Sequence, residues 1–286
     1  MVLAAMGKVM SEMEYPKFSV LMSLYIKEKA EYLNDALASV INQTVKPDEI
    51  VIVYDGPITA ELRNVVENYI SKNPGLIKVI ENSENKGLGP ALADGVPQCK
   101  YELIARMDTD DICREDRFEK QLQEFINNPR LDICGSHILE FEGNKDNIVA
   151  QRRVPLGDND IKDYQKRRDG FNHVSVMFKK KSVLAAGNYQ SCLLMEDTLL
   201  WANMFMNGAK GMNIDDYLVY VRIGKGMYER RGGLDYYKKY KAGRKKVYET
   251  GYISWADYEI TLIVQLIVAV IPNRVRGFVF KKLLHH

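Results

Sequence analysis

Three aspartates within four positions, Asp108, Asp110 and Asp111, form the densest group of acidic side chains in the sequence. They follow residues 101–107, whose apolar character predicts a buried strand. Carboxylates this close repel one another unless a cation or solvent screens them. Asp108 and Asp110 can point to the same side of an extended chain and together bind a hard divalent cation. The alternative is a solvated acidic loop before a helix, since acids also stabilise helix starts.

Other acidic positions could take part in the same chemistry. Asp55 forms an Asp-Gly pair after the apolar run of residues 50–54, although this pair is also common in simple turns. Glu196 and Asp197 open an amphipathic segment. A carboxylate held at a helix start can act as a general base toward a hydroxyl group. Acids at a helix start also occur for purely structural reasons.

The elements that must position these side chains alternate between strands and helices. Strands are predicted at residues 18–24, 50–54, 77–80 and 101–107, and helices at residues 31–43, 59–72 and after the glycine-punctuated loop that begins at residue 85. This alternation predicts βαβ units and a mostly parallel sheet. Ligands bind beyond the carboxyl ends of such strands, where Asp55, Asp108 and Asp110 are expected.

The pattern is less regular after residue 114. Helices are predicted at residues 117–127, 161–168, 196–207 and 234–250, and strands at residues 131–141, 173–178 and 217–221. The strand region at 131–141 is either a pair or one long bent strand. The sequence contains no internal repeat and no low-complexity segment.

Composition indicates a folded protein with an uneven charge distribution. Of the 286 residues, 46% are hydrophobic and 27% are charged, which argues against global disorder. Residues 225–286 contain thirteen basic and five acidic residues, a net charge of +8, so the remainder carries −6. The four cysteines lack zinc-ligand spacing and predict reduced thiols of a cytoplasmic protein. The first sixteen residues lack the apolar core of a signal peptide.

Several segments in order resemble family 2 glycosyltransferases with the GT-A fold. The segments are residues 18–57, 85–95, 102–111, 170–189 and 196–210, and the order and spacing hold over residues 18–222. The resemblance extends to bacterial exopolysaccharide transferases of the amylovoran type, including the "GMYERRGG" run and the basic, apolar C-terminus. It implies an α/β GT-A fold, with a mostly parallel, Rossmann-like central sheet flanked by helices and a C-terminal helical appendage.

The same resemblance implies a division of the chain. Residues 1–16 are an N-terminal lead-in. Residues 17–224 are the catalytic domain, with the nucleotide-sugar-binding half at 17–113 and the acceptor-binding half at 114–224. Residues 225–286 form a basic amphipathic helical segment.

Roles on the nucleotide side follow from the resemblance position by position. Asp108 is expected near the ribose, and Asp110 on Mn²⁺ or Mg²⁺ with the diphosphate; Asp108 is the second candidate metal ligand. Asp111 is expected to cap the following helix. The other positions expected around the nucleotide are Ser23, Tyr25, Glu28, Asp55, Asn85, Lys86 and Gly87.

Roles on the reaction side follow in the same way. Asp197 matches the catalytic base, with Glu196 as second choice, and deprotonates an acceptor hydroxyl for one inverting displacement. Arg230 and Arg231, flanked by glycine, could close over the diphosphate, although a solvated basic turn is the alternative. His173 could face the acceptor, although a lone histidine in a strand is more often structural.

The C-terminal segment is short for a membrane span. Residues 260–271 are apolar over twelve positions, whereas a spanning helix needs about 20. Basic neighbours and flanking aromatic residues predict peripheral contact with an anionic membrane, at the inner face of the cytoplasmic membrane. The alternatives are a helix pair packed on the catalytic domain and a dimer interface.

The sequence therefore predicts an inverting, metal-dependent glycosyltransferase. Its donor is a nucleotide-sugar, with a UDP-sugar favoured, and its acceptor is a hydroxyl of a glycan or lipid-linked oligosaccharide in exopolysaccharide, capsule or O-antigen synthesis. One alternative is a nucleotidyltransferase of similar fold, which would need a glycine-rich loop at residues 23–29, where no glycine stands. The other is a non-catalytic relative that binds glycan or membrane. Nucleic acid binding is not favoured.

Overall fold

In the computed structural model, which describes residues 14–224 and 232–271, a mixed sheet of nine strands lies at the centre of the chain. The strands are β1 (Phe18–Leu24), β2 (Glu49–Tyr54), β3 (Ile77–Glu81), β4 (Leu103–Asp108), β5 (Ile112–Cys113), β6 (Ile133–Phe141), β7 (Ile148–Arg152), β8 (Met177–Lys179) and β9 (Gly211–Arg222). The helices are α1 (Ala30–Ile41), α2 (Ala60–Lys72), α3 (Leu88–Gln98), α4 (Arg117–Asn127), α5 (Asp158–Gln165), α6 (Lys180–Ala185), α7 (Glu196–Met206), α8 (Leu234–Glu249) and α9 (Trp255–Val270).

The first half of the sheet has the expected parallel arrangement. Strands β3, β2, β1 and β4 are neighbours in that order and run parallel. Ser23 at the end of β1 is paired with Val53 of β2 and Asp108 of β4. The carboxyl ends of these strands therefore meet at one edge, as the alternation of strands and helices predicts.

The second half of the sheet is mostly antiparallel. Strand β8 pairs antiparallel with both β4 and β6, β5 pairs antiparallel with β9, and β7 pairs antiparallel with β6, while β6 and β9 are parallel. The fold class is confirmed, but parallel pairing dominates only among the first four strands. Residues 142–147 join β6 directly to β7, and so short a connection permits only antiparallel pairing.

Alternating side chains of the central strands build a core on each face of the sheet. Val20 and Met22 of β1 belong to the core beneath α1, α2 and α4, whereas Leu21 belongs to the core beneath α3 and α7. This follows from the two-residue period of a strand. Trp201 of α7 is fully buried, so the simplest interpretation of that residue, as core, is confirmed.

The strand predicted at residues 173–178 is only partly present. His173–Ser175 form a 3₁₀ turn, and β8 begins at Met177. The hydroxyl of Ser175 donates to the carbonyl of Asn172, and the Ser175 amide donates to the same carbonyl. These local hydrogen bonds compete with strand pairing, which explains the wrong prediction.

The two C-terminal helices pack against each other, and α8 also packs against α7. Helix α9 starts with a capping box in which Ser254 and Asp257 exchange hydrogen bonds. Helix α9 is too short to cross a bilayer, and no other helix within the described ranges is long and apolar enough to do so. All four cysteines are buried and free. Residues 1–13 of the predicted lead-in at 1–16, and residues 272–286, lie outside the described residues.

Candidate active site

A cavity of about 420 Å³, here called the aspartate cavity, opens at the carboxyl edge of the parallel strands. Its lining residues are Ser23, Tyr25, Glu28, Asp55, Asn85, Gly87, Leu88, Asp108, Thr109 and Asp110. Apart from Arg230 and Arg231, nine residues were expected around the nucleotide or the metal, and eight of them line this cavity. The ninth, Lys86, contributes its backbone, because its side chain points to Asp94 at 3.7 Å.

Asp55 organises the loop that closes one side of the aspartate cavity. Its two carboxylate oxygens accept hydrogen bonds from the backbone amides of Lys86 at 2.7 Å and Gly87 at 3.0 Å. The side-chain amide of Asn85 donates to the Asp55 carbonyl at 3.1 Å. Asp55 is buried, and its oxygens already hold backbone amides. Any contact from Asp55 to a nucleotide base must therefore use the lone pairs that these amides leave.

The next residue, Gly56, fixes how closely that loop approaches. Gly56 has a φ of +84°, a backbone conformation that favours glycine. A Cβ atom there would lie 2.6 Å from the backbone nitrogen of Asn85. The Asp-Gly pair therefore forms a turn, and its glycine also allows the Asn85 backbone to approach closely enough to close the cavity.

The clustered aspartates lie where a cation could bind. Asp108, Asp110 and Asp111 each offer a carboxylate oxygen within 4.8 Å of the other two. Burial and the neighbouring charges of Asp108 and Glu28 raise the pKa of Asp110 to about 7. A divalent cation would relieve this repulsion, and a donor set of carboxylate oxygens fits Mn²⁺ or Mg²⁺. Asp110 is the best placed of the three, because the other two already bind protein groups.

Asp108 is tied to a buried arginine that the sequence interpretation missed. Both guanidinium ends of Arg106 donate to Asp108, at 2.6 and 2.5 Å, and Arg106 is only 2% exposed. Arg106 and Asp108 are two positions apart on β4 and therefore share a side of the strand. An arginine inside an apolar strand, two residues before the aspartates, was the signal in the sequence.

Asp111 does not cap the following helix. Its carboxylate accepts a hydrogen bond from the Arg222 amide at 2.7 Å, and it is buried. Helix α4 instead begins after Asp116 without a side-chain cap. The reason is that β5 intervenes and pairs with β9, which brings the end of β9 to Asp111.

A second cavity, of about 780 Å³, surrounds Asp197 and is here called the Asp197 cavity. Its lining residues are Arg152, Arg167, Arg168, Asp169, Phe171, His173, Leu194, Met195, Asp197, Thr198, Gly232, Asp235, Tyr236, Lys239, Tyr240 and Arg244. These residues come from four separate parts of the chain, and α8 forms one wall. The sequence interpretation identified Asp197 and His173 but none of the cations.

Asp197 has the properties of a general base near neutral pH. It lies in the first turn of α7 and lines the cavity. Burial, followed by the neighbouring charge of Asp169, raises the pKa of Asp197 to about 7. A base with a pKa close to the working pH combines a large deprotonated fraction with strong proton affinity.

Glu196 faces a different environment from Asp197. A Cβ added to Gly89 would lie 2.5 Å from Cγ of Glu196, so the glutamate side chain packs against α3. Glu196 is not among the residues that line the Asp197 cavity, although burial raises its pKa. The geometry therefore favours Asp197 over Glu196 as the base.

His173 and Arg106 connect the two cavities. His173 lines the Asp197 cavity, and its Nε2 lies 2.8 Å from the hydroxyl of Tyr189. Burial, followed by the charge of Arg106, lowers the pKa of His173, which keeps the imidazole neutral. Arg106 also acts on Asp197 electrostatically while its guanidinium binds Asp108. A single buried arginine thus lies between the two acidic sites. Arg230 and Arg231 lie outside the described residues.

Comparison with known proteins gives consistent matches over most of the chain. The profile of "Glycosyl transferase family 2" matches residues 19–184. An Escherichia coli UDP-Gal:alpha-D-GlcNAc-diphosphoundecaprenol beta-1,3-galactosyltransferase is 38% identical over 269 residues, covering 94% of this chain and 97% of the relative. The amylovoran biosynthesis glycosyltransferase AmsE of Erwinia amylovora is also 38% identical, covering 93% and 98%.

Solved structures of glycosyltransferases share the fold. A mannosyltransferase from Pyrobaculum calidifontis, in complex with GDP-Man and Mn²⁺, has a TM-score of 0.63 at 14% identity, covering 93% of this chain and 76% of that one. TarS from S. aureus, in complex with UDP-GlcNAc, has a TM-score of 0.62 at 19% identity, covering 94% and 76%. The nucleotidyltransferase and non-catalytic alternatives are set aside, and the chain belongs to glycosyltransferase family 2.

Proposed function

We propose that this enzyme transfers a sugar from a UDP-sugar to a hydroxyl of a sugar carried on a lipid diphosphate, in polysaccharide synthesis. The observation that carries the proposal is the pairing of two cavities, one with clustered carboxylates and one with a carboxylate whose pKa is raised to about 7. The E. coli relative, at 38% identity over nearly the whole chain, supports this substrate class, and the Erwinia relative at the same identity supports a role in polysaccharide synthesis.

The aspartate cavity is the proposed donor site, within the nucleotide-sugar half at 17–113. Asp110 holds the divalent cation, with Asp108 as second ligand. Ser23, Tyr25 and the loop organised by Asp55 enclose the nucleoside. A bound Mn²⁺ or Mg²⁺ supplies positive charge that stabilises the departing diphosphate.

The Asp197 cavity is the proposed acceptor site, formed by the half at 114–224 together with α8. Asp197 takes the proton of the acceptor hydroxyl while the oxygen of that hydroxyl forms a bond to the anomeric carbon. At the same time, the bond between the anomeric carbon and the UDP oxygen breaks. Attack from the face opposite the leaving group inverts the anomeric configuration. Arg106 keeps Asp108 in place on the donor side and limits the rise of the Asp197 pKa on the acceptor side.

The experiment is a transfer assay with UDP-galactose, UDP-GlcNAc and UDP-glucose on a soluble α-GlcNAc diphosphate with a short alkyl chain, with Mn²⁺ or Mg²⁺. We expect one donor to give product, and NMR of that product to show an anomeric configuration opposite to the donor's. Retained configuration would contradict the single displacement. No product from any donor would contradict the proposed substrate class.

Helix α9 is the proposed contact with an anionic membrane, consistent with peripheral attachment at the inner face of the cytoplasmic membrane. Its exposed positions are apolar and include Trp255, Ile260, Ile263, Val264, Leu266, Ile267 and Val270. The adjacent α8 adds exposed lysines that suit anionic headgroups. Burying such an apolar face in the headgroup region gives an attachment that depends on lipid composition.

Sedimentation with vesicles tests the membrane proposal. We expect the protein to pellet with vesicles that contain phosphatidylglycerol more than with pure phosphatidylcholine, and Ile263→Asp with Ile267→Asp to abolish pelleting. As a control, Ile148→Asp changes an exposed isoleucine on β7 and should leave pelleting unchanged. Equal pelleting of the α9 variant would contradict the contact.

A further inference from the structure

The walls of the Asp197 cavity carry an excess of positive charge that the transfer chemistry does not use. Five cationic side chains line the cavity against three carboxylates. The cations are Arg152, Arg167, Arg168, Lys239 and Arg244, and the carboxylates are Asp169, Asp197 and Asp235. A sugar hydroxyl and its base have no need for such an excess. The charge therefore indicates an anionic part of the acceptor.

Most of these cations have no anionic partner among the described residues. Arg167 forms an ion pair with Asp257 at 2.7 Å, outside the lining of the cavity. No ion pair within residues 14–224 and 232–271 involves the other four cations, Arg152, Arg168, Lys239 and Arg244. Four positive charges around one cavity without carboxylate partners favour binding of an anion.

Arg244 is the strongest indication, because it is only 2% exposed. Its guanidinium is held by two neutral groups, the hydroxyl of Thr261 at 3.2 Å and the carbonyl of Lys166 at 2.6 Å. Burying a guanidinium that donates only to neutral groups is unfavourable, and burial lowers the pKa of Arg244 despite the attraction of the nearby Asp169 and Asp257 carboxylates. The carboxylate of Asp169, which also faces the cavity, accepts from the hydroxyl of Thr198. The side chain is thus fixed in position and forms no direct ion pair with Asp169 or Asp257.

The placement of these cations relative to Asp197 suits a sugar diphosphate. Asp197 defines the end of the cavity where the acceptor hydroxyl reacts. The cations come from the end of β7, the segment after α5 and the cavity face of α8. A volume of about 780 Å³ is large enough for a sugar and a diphosphate together. Thr261, which binds Arg244, belongs to α9, so the apolar exposed face lies on the helix directly behind this site.

We infer that Arg152, Arg168, Lys239 and Arg244 form a binding site for the diphosphate group of the lipid-linked acceptor, an inference that rests on the proposed function. The diphosphate carries one negative charge on each phosphate, and guanidinium groups bind phosphate oxygens in pairs. Through this site the enzyme would select its acceptor by the diphosphate group as well as by the sugar hydroxyl that reacts. The α8 segment is then part of the acceptor site.

The test compares two acceptors that differ in one phosphate. The probes are α-GlcNAc diphosphate and α-GlcNAc monophosphate with the same short alkyl chain, assayed with the donor found above. The variants are Arg168→Gln and Lys239→Gln, both at exposed positions, and the control is Lys241→Gln, an exposed lysine of the same helix that does not line the cavity. UDP affinity of each protein is measured in parallel.

We expect the unchanged protein to prefer the diphosphate acceptor. Each cavity variant should raise KM for that acceptor about tenfold, the effect of losing a hydrogen bond to a charged group, and should reduce the preference over the monophosphate. UDP affinity and the control should be unchanged. An unchanged KM in both cavity variants would overturn the inference. A parallel loss of UDP affinity would also overturn it, because the cations would then serve the donor. No transfer to either acceptor by the unchanged protein would instead overturn the proposed function itself.

Discussion

The two cavities of this enzyme are built in different ways. The aspartate cavity is made at the ends of four neighbouring strands, and most of its residues stand in short motifs next to those ends. The Asp197 cavity combines the end of β7, the segments before α7 and the face of α8. The proposed donor site is thus fixed by the regular geometry of a parallel sheet. The proposed acceptor site is assembled from irregular segments and can vary without disturbing the sheet.

The variant with the greatest predicted loss of activity distinguishes the proposed base, Asp197, from its neighbour Glu196. Asp197→Asn should reduce kcat by about 10²- to 10⁴-fold, the range for losing a general base, while UDP affinity is retained. Glu196→Gln is the matched variant, because Glu196 packs against Gly89 outside the cavity, and its loss should be much smaller. Steady-state kinetics and UDP titration measure both. The assignment would be wrong if the two variants exchanged these effects.

The next effect concerns the donor side alone. Asp110→Asn should reduce kcat/KM by about 10²- to 10³-fold, the cost of losing electrostatic stabilisation of a leaving group. It should also remove the dependence of UDP binding on Mn²⁺, measured by titration calorimetry. Glu81→Gln is the control, since Glu81 is an exposed acid at the end of β3 that binds Arg63. Metal-dependent UDP binding in the Asp110 variant would show that another group holds the ion.

A glycine substitution tests how closely the loop of the aspartate cavity must approach. Gly56→Ala should destabilise the fold by about 1–3 kcal/mol through its positive φ, with an added clash against the Asn85 backbone. It should also weaken UDP binding. Gly75→Ala is a matched control, because Gly75 has a φ of +80° but open space around its Cβ position. Denaturant unfolding and UDP titration should show the smaller stability loss and unchanged UDP affinity for Gly75→Ala.

The smallest predicted effect is a pH dependence of kcat that is set by Asp197 in the proposed acceptor site. The proposed base Asp197 must be deprotonated to accept a proton, and its pKa is raised to about 7. At saturating metal and UDP, kcat should therefore rise with pH and reach half its maximum near pH 7. Asp169→Asn removes the neighbouring charge that raises this pKa, so the rise should move to lower pH. An unchanged profile in that variant would place the controlling group elsewhere.

The sequence predicted the aspartate cavity better than the Asp197 cavity. Strand β1 and the helix at 117–127 were predicted with the bounds found in the structure, and the eight cavity residues were expected from the family resemblance and from aspartates at strand ends. The 3₁₀ turn at His173–Ser175 was missed because side-chain hydrogen bonds replaced strand pairing there. The binding of Asp111 to the Arg222 amide depends on a contact between residues 111 positions apart, which no local pattern reveals. Arg244 was likewise hidden among the lysines of a basic helix.

The central claim is that the aspartate cavity is a metal-dependent nucleotide site. The most direct measurement is the stability of the protein with UDP, with and without Mn²⁺, with ADP as a comparison nucleotide. At a UDP concentration 100 times its Kd, we predict added stability of about 2.7 kcal/mol with Mn²⁺ and much less without it. Equal stabilisation with and without the ion, or none with UDP under either condition, would contradict it.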